Sequence, residues 1–97
     1  MTIQQTQNGS EMTLAFSGWL DTQTSPELHA VIDELDDSVT ALVFDFKNLE
    51  YLSSAGLREI RLAQRKMDGN LSICHAPPDI LGVLEITGFT ELVKVEP

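Results

Sequence analysis

The chain has 97 residues, one domain's worth, and its six Lys+Arg against fifteen Asp+Glu leave a net charge of −9 and a pI near 4.3. Hydrophobic residues make up 42% and charged residues 22%, the balance of a globular chain and not of a disordered one. No apolar run approaches the ~18 residues of a membrane span and no basic segment precedes an apolar one; the single Cys74 cannot form an internal disulfide and by its spacing makes neither a zinc cluster of cysteines nor a CxxC pair; and the acidity excludes a nucleic-acid binder that relies on a basic face.

The elements follow in chain order. Thr2–Thr6 has few apolar residues and suits an edge strand. Asn8-Gly9 is a type I′ hairpin signal, because both turn positions need positive φ. Met12, Leu14 and Phe16 then alternate with Thr13, Ala15 and Ser17, as in a half-buried strand. Ser25 fits the N-cap of a first helix and Pro26 its first position, since proline disfavours helical torsions in the residue before it. Leu28, Val31, Ile32 and Leu35 form one apolar stripe. The helix is expected to end in Asp36-Asp37, the wrong sign for a C-terminal dipole, at about 0.3–1 kcal/mol each at most. Fraying and screening make that cheap; contact with a basic partner is the other explanation.

Ala41–Phe46 is nearly continuous apolar sequence, as in a central parallel strand covered on both faces. A second helix follows from about Ala55, with Leu57, Ile60, Ala63/Gln64 and Met67 on one side and Gly69 as its stop. Leu71-Ser72-Ile73 is a short strand, with Cys74 expected as a small buried hydrophobe. Pro77-Pro78-Asp79 opens a third helix in which Ile80, Val83, Leu84 and Ile86 pack inward before Gly88, and Leu92–Val95 is a last strand. The order β-β-α-β-α-β-α-β predicts a single α/β domain over residues 1–97. Its sheet has about five strands, mostly parallel, with an antiparallel edge hairpin strand and helices packed on it.

Chemistry concentrates in Asn48–Arg58, between the central strand and the second helix, the edge where open α/β sheets usually hold ligands. Ser53 and Ser54 stand at a helix N-terminus, where unpaired N–H groups and the macrodipole favour an anion. Either serine could simply cap the helix. A phosphate on Ser54 would instead add about −1.5 to −2 charges without unfolding it.

Tyr51-Leu52-Ser53-Ser54-Ala55-Gly56-Leu57-Arg58 resembles the phosphorylation loop of STAS domains, in particular the bacterial anti-sigma factor antagonists. Gly18-Trp19-Leu20-Asp21 resembles their Gly-x-Leu-Asp motif, and Pro78-Asp79-Ile80 through Gly88-Phe89 their third helix. By position the family's phosphorylated serine falls on Ser54; Ser53 takes a place often held by Asp, leaving it as a second-choice acceptor, and Ala55 a place often held by Ser or Thr. The resemblance implies a partner-binding surface of Trp19, Asp21, Ser53, Ser54, Ala55, Gly56, Leu57 and Arg58. Trp19 replaces a polar residue common there and is either an exposed anchor or packed at the sheet edge.

What the resemblance implies is partner switching in the bacterial cytoplasm. The unphosphorylated domain binds a kinase-type anti-sigma factor and frees the sigma factor. Phosphorylation at Ser54 releases the domain, and a PP2C-type serine phosphatase restores it. STAS domains also occur as subunits of lipid-transport ATPases, as tails of anion transporters and as scaffold parts, so a role in such an assembly is the alternative. A more distant one is a Ser/His hydrolase, if crossover geometry brings His75 to Ser54; there is no GxSxG elbow and little chain for a pocket. With no glycine-rich phosphate loop or metal-ligand spacing, no catalytic residue, cofactor, nucleotide or metal is expected, nor direct nucleic-acid contact or membrane insertion.

Charge is unevenly placed. Residues 1–46 carry eight acids and no base, whereas Arg58, Arg61, Arg65 and Lys66 crowd into the second helix. That reads as a salt-bridge-rich helix or as a polarised surface that steers a partner.

Overall fold

The computed structural model describes residues 1–97. The strands are β1 (Thr2–Asn8), β2 (Glu11–Leu20), β3 (Ala41–Leu52), β4 (Leu71–Cys74) and β5 (Lys94–Val95). The helices are α1 (Ser25–Asp33), α2 (Ser54–Lys66), α3 (Pro78–Ile86) and α4 (Phe89–Leu92). Sheet order is β1-β2-β3-β4-β5, with β1 antiparallel to β2 and every other pair parallel. The hairpin turn is Gly9-Ser10, one residue later than the Asn-Gly signal implied: Asn8 pairs with Glu11, and only Gly9 takes positive φ, at 64°. Glycine at the first central position is the requirement of a type II′ turn.

From β2 to β5 each crossover advances one strand in the same direction. Right-handed crossovers of that kind place all the helices on one face. Met12, Leu14 and Phe16 of β2, Leu42, Phe44 and Phe46 of β3, and Leu71 and Ile73 of β4 are buried on that face, beneath Leu28, Ile32, Ile60, Ala63, Ile80 and Leu84. Phe16 meets Phe44 and Phe46 edge-on, with ring centroids 5.1 and 5.2 Å apart. The opposite face carries Thr13, Ala15, Ser17, Val43, Asp45, Ser72 and Cys74, all only half-buried. β3 is therefore covered on one face, contrary to the expectation of two. Cys74 falls on the open side because alternation sends Leu71 and Ile73 to the core.

β3 runs six residues beyond the expected Phe46. Ala15 pairs with Asp45 but Ser17 with Asn48, and Gly18 pairs with Leu49 but Trp19 with Tyr51. Each shift inserts one extra residue into β3, a bulge that bends the strand. Two bulges keep Leu49 and Leu52 on the core face although they stand three apart. Past β4, β2 and β3 thus continue as a two-stranded parallel ribbon, and its end launches α2.

The helix ends also differ from expectation. Thr24, not Ser25, precedes α1; Ser25 lies inside the helix, buried, its hydroxyl donating to the Asp21 carbonyl at 2.6 Å. α1 stops at Asp33, before Asp36-Asp37. The Lys66 ammonium donates to the Ile32 carbonyl at 2.6 Å, so α2 supplies the positive charge that the end of α1 lacks. Asp36 is occupied locally, accepting from the Ser38 amide at 2.8 Å. Ile86, expected inside, is 88% exposed. It lies two residues beyond the buried Leu84, about 200° round α3. Gly88, at φ 79°, stops α3 and leads into α4, a short helix absent from the sequence reading; it takes up Leu92 and leaves β5 only Lys94 and Val95.

Candidate phosphorylation and partner-binding site

The ribbon end and the first turn of α2 bring most of the expected residues together. The Ser53 amide donates to the Leu20 carbonyl at 2.9 Å, which ends the pairing of β3 with β2. Ser53 then serves as N-cap, with extended torsions and its hydroxyl accepting from the Gly56 amide at 3.3 Å. Ser54 is the first helical residue; it is exposed, and its hydroxyl makes no side-chain hydrogen bond. The Ser54 and Ala55 amides have no intrahelical acceptor, as at any helix start. An oxyanion on Ser54 would therefore meet free N–H groups and the positive end of the macrodipole.

Gly56 explains the glycine of this motif. A Cβ there would lie 2.7 Å from Leu52 Cδ1, 2.8 Å from Leu20 Cγ and 3.1 Å from the Leu20 carbonyl oxygen. Only a bare backbone lets the first turn of α2 sit this close to both strands. Leu57 packs partly into the core, and Ala55 is half-buried beside it. Arg58 stands exposed one turn after Ser54.

Trp19 is exposed, at 55%. Its neighbour across the ribbon is Tyr51, 46% exposed, with ring centroids 5.1 Å apart and planes at 39°. Tyr51 lies outside the surface expected from the sequence. Its signal was present in Leu49 and Leu52 flanking two residues of other character, but alternation by two does not detect a bulged strand.

Asp21 faces its own turn. Its Oδ1 accepts from the Gln23 and Thr24 amides, both at 3.0 Å, while the Thr24 hydroxyl donates to the Trp19 carbonyl at 2.7 Å. The Thr24 amide bond is the largest cause holding the Asp21 carboxyl below the ordinary carboxylate range, against some desolvation. Its work is to lock the β2–α1 corner that sets the height of Trp19.

The structure does not bring His75 to Ser54. His75 Nδ1 lies 3.0 Å from Asp45 Oδ1, and β3 continues from Asp45 to Leu52, roughly 20 Å further at strand rise, before Ser53 begins. The hydrolase arrangement is therefore absent. The salt-bridge-rich helix is absent as well. Arg58, Arg61 and Arg65 are exposed and make no ion pair, while Glu59 of α2 bonds His29 of α1. No helix is long and apolar enough to cross a membrane.

The family model described as "Mlab, STAS domain" matches residues 3–94. A curated relative, the putative anti-sigma factor antagonist BtrV of Bordetella bronchiseptica, is 37% identical over 76 residues, 75% of this chain. The chain spans 63% of that relative's length, less than two thirds. Among solved structures, an anti-sigma factor antagonist from Mycobacterium paratuberculosis superposes with a TM-score of 0.88 at 24% identity, covering 99% of this chain and 85% of the other. Unphosphorylated SpoIIAA, an anti-sigma factor antagonist, gives 0.82 at 16% identity over 97% and 87%. A sulfate transporter family protein from Wolinella succinogenes gives 0.78 at 14% over 90% and 76%, so the fold is shared across different roles.

Proposed function

The chain belongs to the STAS domain family, and within it we propose that the protein is an anti-sigma factor antagonist whose partner binding is switched by phosphorylation at Ser54. The unphosphorylated form binds a kinase-type anti-sigma factor in the cytoplasm and so frees the sigma factor. Phosphate on Ser54 ends that contact, and a PP2C-type serine phosphatase restores it. The protein is a substrate and binding partner, not a catalyst.

The observation that carries this reading is the division of labour between the two serines. Ser53 spends its hydroxyl on the helix cap, while Ser54 presents a free hydroxyl at the first helical position, two residues past the end of the strand that pairs Tyr51 with Trp19. Phosphate at that position is compatible with the folded domain, because the α2 N-terminus favours the anion and Arg58 lies one turn on. The same charge placed in an aromatic interface costs desolvation and repulsion. A tenfold loss of affinity needs only about 1.4 kcal/mol. Ser53, Ala55, Gly56 and Leu57 set the shape of this surface, Trp19 and Arg58 contact the partner, and Asp21 fixes the corner beneath.

A STAS subunit of another assembly, such as a lipid-transport ATPase, is the second reading. It is favoured by the family description, which names Mlab and not an antagonist, and by the transporter-family protein that shares the fold. Incubation with candidate kinase-type anti-sigma factors and ATP, followed by mass spectrometry of the Ser53–Ser54 peptide, tests the proposal. Phosphate on Ser54 is the expected result. Phosphate confined to Ser53 contradicts the residue assignment. No modification, together with co-purification of a membrane-associated ATPase, contradicts the switch.

A further inference from the structure

On the open face of the sheet, well away from Ser54, three side chains of different donor chemistry converge. Asp45 of β3 and Cys74 of β4 are register partners. His75 follows with a left-handed φ of 55°, a torsion uncommon for a side-chain-bearing residue, and its Nδ1 reaches Asp45 Oδ1 at 3.0 Å. One oxygen, one nitrogen and one sulfur from these residues lie within 4.8 Å of one another. We propose that Asp45, Cys74 and His75 form a binding site for a zinc-class divalent cation, with the fourth position open to solvent.

Tetrahedral zinc takes sulfur at about 2.3 Å and nitrogen or oxygen at about 2.0–2.2 Å, which separates neighbouring donors by about 3.2–3.6 Å. With one donor pair at 3.0 Å and all three within 4.8 Å of one another, the donors need shift by only about an ångström to reach that range. A carboxylate, a neutral imidazole and a thiolate balance the charge of a divalent ion. Mixed oxygen, nitrogen and sulfur donors select zinc and its neighbours over magnesium or calcium. The Lys47 amide donates to Asp45 Oδ1 at 3.0 Å and fixes the carboxylate from behind, as outer partners of metal ligands do. A bound cation takes the Cys74 sulfur as thiolate, the thiol proton passing to solvent. The ion would tie the middle of β3 to the end of β4 on a face that carries no helix. Asp45 lies about thirty residues from Cys74 in the chain, which is why spacing in the sequence carries no trace of the site.

Cobalt(II) and zinc(II) titrations of the reduced, metal-free protein, with excess magnesium present, test the proposal. The expected result is one cobalt per chain with a sulfur-to-cobalt charge-transfer band, displaced by zinc, and a zinc-dependent rise in Tm. Cys74→Ser abolishes the band, and Asp45→Asn and His75→Asn each weaken zinc at least tenfold; asparagine is chosen because it tolerates the left-handed torsion at position 75. His29→Ala, which takes the other histidine away from its carboxylate partners Asp33 and Glu59, leaves binding unchanged. Circular dichroism confirms that each variant is folded. Absence of the band in the wild type, or zinc affinity unchanged across the three ligand variants, overturns the assignment.

Discussion

Ser53 and Ser54 differ by one helical position, and that step separates a capping hydroxyl from a free one. Ser53→Ala removes the bond to the Gly56 amide and is expected to cost about 1 kcal/mol of stability by chemical denaturation. Ser54→Ala, at an exposed site, should stay within about 0.5 kcal/mol of wild type. The opposite order would mean that Ser54 is the cap and would undercut its role as acceptor. Gly56→Ala gains helix propensity but drives a Cβ against Leu20 and Leu52, one of these contacts being backbone. Overpacking should win by about 1–3 kcal/mol, and at about 4–8 °C per kcal/mol for a domain of this size the loss is easily seen in Tm. In the sequence the two serines are interchangeable, because the choice depends on where the ribbon ends against Leu20. The same holds for Asp21. Its carboxylate was legible as part of a motif, but the turn that occupies it was not.

Between elements, α1 and α2 are clasped at two places by groups that sequence periodicity does not reveal. Lys66 of α2 covers the end of α1, and Lys66→Met should lower stability by about 0.5–1 kcal/mol, with the helical circular dichroism signal falling on heating before the rest of the domain. His29 bonds Glu59 across the helices at 3.0 Å and Asp33 one turn along at 3.2 Å. The Glu59 hydrogen bond first, and the charges of Asp33 and Glu59 after it, raise the His29 pKa above its ordinary 6.5. A raised histidine pKa contributes stability that is fully present below about pH 6.5 and is lost as pH rises through the folded value. Tm should therefore fall slightly from pH 6 to pH 8, and His29→Gln should flatten that part of the profile; an unchanged slope in the variant would assign the effect elsewhere. The helices and the hydrophobic strand cores were legible because each has a regular period. The second half of β3 was not, because two bulges replace alternation by a spacing of three at Leu49 and Leu52. Tyr51 went unnoticed for that reason.

For the molecule as a whole, one-directional crossovers leave a helical face, an open sheet face, and a ribbon end that carries the proposed switch. The −9 net charge is distributed over this frame unevenly: the first 46 residues hold no base, and the unpaired Arg58, Arg61 and Arg65 run along α2, the helix that Ser54 opens. Association with a partner should therefore depend on salt, mainly through the on-rate. Trp19→Ala should weaken binding by about 2 kcal/mol or more, roughly thirtyfold, and leave Tm nearly unchanged, since the side chain is exposed. Fold and family were legible from the order of elements and the Tyr51–Arg58 motif; contacts between distant strands, such as that of Asp45 with Cys74 and His75, exist only after folding. The proposed switch turns on one hydroxyl. Its most direct test is the affinity of a kinase-type anti-sigma factor for the same protein preparation before and after phosphorylation of Ser54, by calorimetry, with Ser54→Ala carried through the same treatment. Phosphorylation should lower the affinity at least tenfold and leave the variant unaffected. Equal affinity of the two forms would contradict the switch.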